Sequence, residues 1–270
     1  MVECNLVWYA KLYFWQKAVL CTRGDFVDIF LNFAFLFFVG CEFGWVLELF
    51  FRRAVSKSHT FINPGFLAGP YLPIYGFGLM CLYFLSERLM FLPASPAILK
   101  NFIIFVLLML ALTFIEYIAG VIFIDILHVK LWDYSQNRFN IKGIVCPLFS
   151  FFWGVLGSVY YFLIHPYILG ALHWFSENTA FSFFIGMFFG IFFVDVCYSF
   201  HIVAKVRTFA YENNVVIRYE ELKEHIKRNV TRAKAKYRFM FALHAQTPLR
   251  VQLKSFLEEK KGLITGGKAE

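Results

Sequence analysis

Asn63-Pro64-Gly65-Phe66-Leu67-Ala68-Gly69-Pro70-Tyr71-Leu72-Pro73-Ile74-Tyr75-Gly76-Phe77-Gly78 places four glycines and three prolines in sixteen residues, at the head of an apolar run. A membrane span needs only to be apolar and helical, so this composition asks for more than an anchor. Proline frees a backbone carbonyl, and glycine lets a second backbone or a ligand approach closely. Irregular backbone at membrane depth is tolerated only where protein or water satisfies it. Two readings stand side by side: a broken helix lining a site, as in transporters, and a kinked helix whose glycines serve close packing.

The rest of the chain supplies the membrane context. Of its 270 residues, 60% are hydrophobic and 16% charged, with mean hydropathy +0.62. Soluble domains of this length do not need so much apolar surface, and several uncharged runs approach the length of a bilayer crossing. Five spans are expected near 27–50, 66–85, 101–127, 144–164 and 181–203, each about 20 residues or more. Residues 1–26 carry Lys11, Lys17 and Arg23, which argues against a cleaved signal peptide and for an interfacial segment over 6–20. The expected fold class is therefore all-α. It is a polytopic membrane helix bundle with an N-terminal interfacial segment (1–26), a transmembrane domain (27–203) and a basic tail (204–270).

Charge sets the orientation. Residues 204–270 hold 15 Lys/Arg against 7 Asp/Glu, whereas residues 1–203 hold 11 of each. The net +8 thus belongs to the tail, and it suits an anionic cytoplasmic leaflet or an acidic partner better than nucleic acid. Arg52, Arg53 and Lys57 in one connection, and Lys130, Arg138 and Lys142 in another, point to the same side. This places both connections and the C-terminus on the cytoplasmic side. Within the tail, Tyr219, Leu222, Ile226, Val230, Ala233, Tyr237, Met240 and His244 form one stripe of an amphipathic helix over 219–244, with Lys223 and Lys227 among its polar residues.

Ionisable residues inside spans are costly, so Glu42, Glu48, Glu116, Asp125 and Asp195 are site candidates by default. Glu48 lies four residues before Arg52 and can pair with it. Glu116 is mid-span with no basic residue within four positions, so its partner must come from another element. Trp132-Asp133-Tyr134-Ser135 joins a candidate interfacial aromatic belt to a polar loop. Its bland reading is a turn or cap. The six cysteines are scattered without a CxxC pair, and neither a disulfide framework nor a metal site is expected. Gly262 through Lys268 only approximates a phosphate-binding loop, with Ala269 where Ser or Thr should stand. No cofactor is expected.

Gly44-Trp45-Val46-Leu47-Glu48, Gly65-Phe66-Leu67, Gly69-Pro70 through Gly78, Glu116-Tyr117, Trp132-Asp133-Tyr134-Ser135, Asn140-Ile141-Lys142-Gly143, Ser150, Trp153-Gly154 and His165-Pro166 together resemble the bacterial putative ABC-transporter permease family, type IV. The likeness covers roughly 30–166 and departs at Pro64, where the family usually carries arginine. It implies a permease-like membrane subunit that works with a separate ATPase. The expected substrate or pathway residues are Glu48, Arg52, Asn63, Tyr71, Tyr75, Glu116, Asp133 and Tyr134. The expected partners are the lipid bilayer, the ATPase and further copies of the chain. Two other classes remain: a membrane enzyme acting on a lipid or lipid-linked head group, and a scaffold that docks through the basic tail.

Overall fold

The computed structural model describes residues 25–55, 63–92, 96–228 and 249–266. The expected interfacial segment 6–20 and the far part of the 219–244 helix lie outside them. The helices are α1 (Asp25–Val55), α2 (Pro73–Leu89), α3 (Ala97–Val121), α4 (Pro147–Val159), α5 (His165–Glu177), α6 (Ser182–Glu212), α7 (Tyr219–Arg228) and α8 (Leu249–Gly266). Two-residue strands β1 (Val129–Lys130) and β2 (Ile217–Arg218) pair in parallel. The fold is all-α and of the membrane-bundle type. Four helical stretches are long and apolar enough to cross a bilayer: Val27–Arg53, Ala97–Ile126, Pro147–Glu177 and Thr179–Glu212. Large side chains such as Phe43 (74% exposed) and Ile98 (83%) stand on their outer faces, a pattern that suits lipid and not water.

Two helices differ in their bounds from the spans expected over them. The second starts at Pro73 and not at Phe66, because residues 63–72 are irregular and Pro73 opens the helix. Proline fits a first helical position, where its missing N–H would have no partner anyway. The resulting α2 has 17 residues, about 25 Å at 1.5 Å per residue. The fourth does not stop near 164. A π-helical turn over Tyr160–Ile164 leads directly into α5, so the expected connection at 165–180 is helical to Glu177. The wide turn ends just before Pro166, which stands in the first turn of α5. There the ring does not break an interior hydrogen bond.

The chain divides into two compact units. The first comprises residues 25–41, Pro73–Ile115 and Pro147–Gly190. Its core is apolar, built from Leu36, Ile104, Leu108, Leu172 and Phe175 among others, with Phe35 and Phe175 stacked at 5.0 Å. His165, only 1% exposed, is held by Tyr160 at 3.0 Å and Glu87 at 3.2 Å. In this unit α1 and α2 meet through glycine. A Cβ on Gly40 would lie 2.7 Å from the Tyr75 carbonyl oxygen and 2.8 Å from Gly76 Cα. Because backbone atoms cannot swing aside, Gly40→Ala should force the helices apart. Overpacking of this kind costs about 1–3 kcal/mol. The thermal midpoint in detergent, read by size-exclusion fluorescence, should fall by roughly 5 °C. An unchanged midpoint would show that the crossing is loose.

The second unit comprises Glu42–Leu72, Glu116–Cys146 and Ile191–Glu270. Here the end of α6, β1–β2, α7 and α8 enclose a core of Val129, Val203, Val206, Phe209, Ile217, Leu222, Ile226 and Leu253.

Candidate functional site

The polar chemistry of the second unit gathers around the irregular stretch 63–72. Gly65 adopts φ +75°, where a Cβ would also press on the Leu72 side chain at 2.5 Å. The Asn63 side chain, 2% exposed, acts as a spool for the turn. Its Oδ1 accepts from Trp45 Nε1 at 2.6 Å, and its Nδ2 donates to the carbonyls of Leu67 (3.1 Å) and Ala68 (2.8 Å). The N–H groups on the other side of the turn go to Asp195 of α6. Its carboxylate accepts from Ala68 N (3.1 Å), Gly69 N (2.7 Å), the Tyr71 hydroxyl (2.7 Å) and Ser199 Oγ (2.9 Å). Four donors on one carboxylate give the loop's free backbone the partners that a segment beside spans requires.

Two further carbonyls of the turn are met from the tail. Lys223 of α7 donates to Asn63 O and Gly65 O, both at 2.7 Å, and lies 5.2 Å from the Tyr219 ring. The side chain is buried, and burial with the added charge of Arg52 pushes its amine down to about 7. Helical periodicity predicts Lys223 on a solvated face. The structure buries it because the loop carbonyls supply in protein what water would otherwise supply.

Beside this turn lies a second cluster, built by the segment after α3. A π-helical turn at Ile122–Ile126 ends α3, and His128 at φ +52° reverses the chain. The segment then folds back: Trp132 Nε1 donates to Ile144 O at 2.8 Å, and Tyr134 N donates to Gly143 O at 2.8 Å. A side chain at Gly120 would run into Ile144, so glycine is what allows this approach. The fold-back carries the Tyr134 hydroxyl to Glu116 Oε1 at 3.0 Å, and Glu116 is 3% exposed. Burial, then the charges of Glu116 and Glu48, push the Tyr134 phenol well above its usual range, against a smaller opposing pull from Arg52. The phenol therefore stays protonated and donates.

Arg52 Nε bonds Glu48 at 2.6 Å, and its Nη1 meets Glu220 of α7. Asp133 accepts from Lys130 (3.0 Å), Arg218 (2.7 Å) and the Ser135 N–H (3.1 Å). Burial alone raises the Asp133 carboxyl, but the hydrogen bonds from Lys130 and Ser135 and the charge of Arg218 outweigh it and hold it below the usual range.

Of the eight residues expected from sequence, Glu48, Arg52, Asn63, Tyr71, Glu116, Asp133 and Tyr134 fall in the second unit, and their contacts are those above. Tyr75 belongs to the first unit, where its ring lies 5.5 Å from Trp153. Trp132 and Tyr134 point their polar atoms inward to Ile144 O and Glu116, a different use from the belt expected of them. Asp125 pairs at 3.3 Å with Lys142.

Of the two residues that close the turn, sequence reasoning singles out one without its partners and misses the other. Asp195 is visible as a costly charge within a span, but its loop partners are more than a hundred positions away. Lys223 gives no local signal at all. Among the described residues no group of three or more His, Cys, Asp or Glu is placed to hold a metal.

Chemically, the Glu48–Arg52–Tyr134–Glu116 set combines carboxylates, a guanidinium and a protonated phenol. Such a set can hold a polar or cationic group, or pass a proton, at the edge of an apolar helix. No curated protein and no solved structure is detectably similar to the chain. The family model described as Putative ABC-transporter type IV matches residues 35–200, more than half of the chain, and with its apolar spans the chain belongs to that family of membrane transporter-like proteins.

Proposed function

We propose that the chain is the membrane-embedded subunit of a transporter and works with a separate ATPase. In this reading, the polar cluster around Glu116 is where cargo or a coupling ion meets the protein. The observation that carries it is the buried Glu116 carboxylate on the apolar helix α3, reached by a protonated phenol from a folded-back loop. Such a group is expensive beside hydrocarbon and is retained where it does work. The basic tail and the Lys/Arg-rich connections support an inner-membrane orientation with the C-terminus in the cytoplasm. Glu48, Arg52, Asp133 and Tyr134 serve the same path, whereas Asn63 and Tyr71 hold the turn in shape.

The test is a deletion strain complemented with the wild-type chain or with Glu116→Gln, scored for uptake and export across a panel of labelled solutes. The variant keeps the shape of the side chain but loses its charge. A hydrogen bond to a charged group contributes about 1.5–3 kcal/mol, roughly ten- to a hundredfold in rate. Transport should fall by that factor while membrane insertion is kept, and an ATPase subunit should copurify with both forms. Full transport by Glu116→Gln overturns the role of the cluster. An altered lipid profile with unchanged solute fluxes favours a head-group enzyme, for which the acid, base and guanidinium types in the cluster are also suited.

A further inference from the structure

The folded-back segment has an outer edge that the cluster does not use. Its inner edge is fixed by Asn140, which donates to Ser135 O (3.2 Å) and Asn137 O (2.8 Å) and accepts from Gly143 N (3.0 Å). Ile141 and Val145 add a backbone bridge. What this scaffold displays is apolar: Phe139 is 86% exposed and Ile141 56%. Arg138 and Lys142 flank them and are exposed as well. Phe139 and Lys142 hold φ +56° and +54°, a region that residues with a Cβ rarely occupy.

One further contact ties this edge to the end of α3's apolar stretch. Lys142 Nζ lies 3.3 Å from Asp125, next to the last residue of the Ala97–Ile126 stretch. The tip is thus tied to the C-terminal end of that apolar stretch, the part of a membrane span expected to meet head groups. Arg138 has no ion-pair partner among the described residues. An aromatic and an aliphatic side chain flanked by cations at that level match a layer of anionic head groups over acyl chains.

We propose that the Arg138–Lys142 tip is a binding site for anionic phospholipid, with Phe139 and Ile141 seated at the acyl boundary and Arg138 against the phosphate. This site takes over the anchoring expected of Trp132 and Tyr134, which are turned inward. It is independent of the transport reading.

The test uses the full chain, carrying an environment-sensitive fluorescent amino acid in place of Phe139, reconstituted in vesicles of phosphatidylcholine alone or mixed with phosphatidylglycerol. Emission should shift to the blue and be quenched by brominated acyl chains, more strongly when phosphatidylglycerol is present, and be shielded from aqueous iodide. Arg138→Gln should lower the odds of the inserted state in the mixed vesicles about fivefold, the factor expected for one cation at such a surface. The same probe at Ile141 repeats the measurement should the first site perturb the turn. Iodide quenching without lipid quenching at both positions overturns the proposal. Equal insertion with and without phosphatidylglycerol overturns the anionic selectivity. Shielding that appears only on adding a soluble ATPase assigns the tip to protein docking instead.

Discussion

Asp195→Ala should lower the thermal midpoint of the purified chain more than any single change within the 63–72 turn that it holds. The carboxylate accepts from two backbone N–H groups, one phenol and one serine hydroxyl. Removing it orphans Ala68 N–H and Gly69 N–H beside an apolar span, where water is a poor substitute. Each buried donor left unpaired costs about 1–3 kcal/mol, so about 4 kcal/mol is expected in all after partial relaxation. Asp195→Asn keeps the shape but turns an NH2 group toward donors, and should cost about half as much. Tyr71→Phe removes a single bond to a charged group and should cost about 1.5 kcal/mol. The order Ala, then Asn, then Phe is the discriminating result. It is read from thermal midpoints and from protease nicking within 63–72, and an Asn variant as stable as the wild type would show that the carboxylate's charge is not used.

Lys223→Met is the second large effect, and it has a pH signature. Methionine fills the volume but leaves Asn63 O and Gly65 O without their donor. Two unsatisfied carbonyls at about 1–3 kcal/mol each predict a loss of roughly 3 kcal/mol near neutral pH. In the folded chain the Lys223 amine is pushed down from 10.5 to about 7. Between those values the unfolded chain binds the proton that the folded chain has released, so unfolding takes up a proton and stability rises with pH. The lysine's own contribution is therefore smallest below about pH 7 and grows through the range up to 10.5. A neutral amine still has two N–H groups, enough for both carbonyls. The gap in midpoint between wild type and Lys223→Met should widen from pH 6 to pH 9, and comparing the two chains cancels the other titrating groups. A gap that narrows over that interval would show that the ammonium, and not the amine, is the form the turn prefers.

The membrane fold is largely legible in the sequence because lipid imposes a strong local rule. Long apolar runs such as Ala97–Ile126 can do little except form helices, and the glycines and prolines of 63–78 mark where that rule is broken. The position of the break is less legible, since Phe66 and Leu67 are as apolar as the helix that follows. His165-Pro166 reads as a helix end only until a π turn is allowed for. At the site, Glu116 and Asp195 stand out because charge within a span is costly, but nothing local names their partners. Tyr134 lies in a loop that bends back through His128 at positive φ, and Asp195 meets a turn from a distant part of the chain. Lys223 shows the opposite failure: the three-and-four periodicity that finds α7 also assigns every lysine on it to water. One lysine among them faces backbone carbonyls instead, which only the folded tail reveals.

The parallel pairing of Val129–Lys130 with Ile217–Arg218, and the lysine that follows it, also bears on the order in which the molecule can be assembled. A chain made from its N-terminus inserts its apolar helices as they emerge. The 63–72 turn and the loop after α3 are then in place well before residues 217–223 have been synthesised. Until those residues arrive, Asn63 O and Gly65 O await their amine, and β1 presents an unpaired edge. The second unit is thus completed by the last quarter of the chain. A chain ending near residue 210 would keep its four long apolar stretches but leave the 63–72 turn without the amine that closes it.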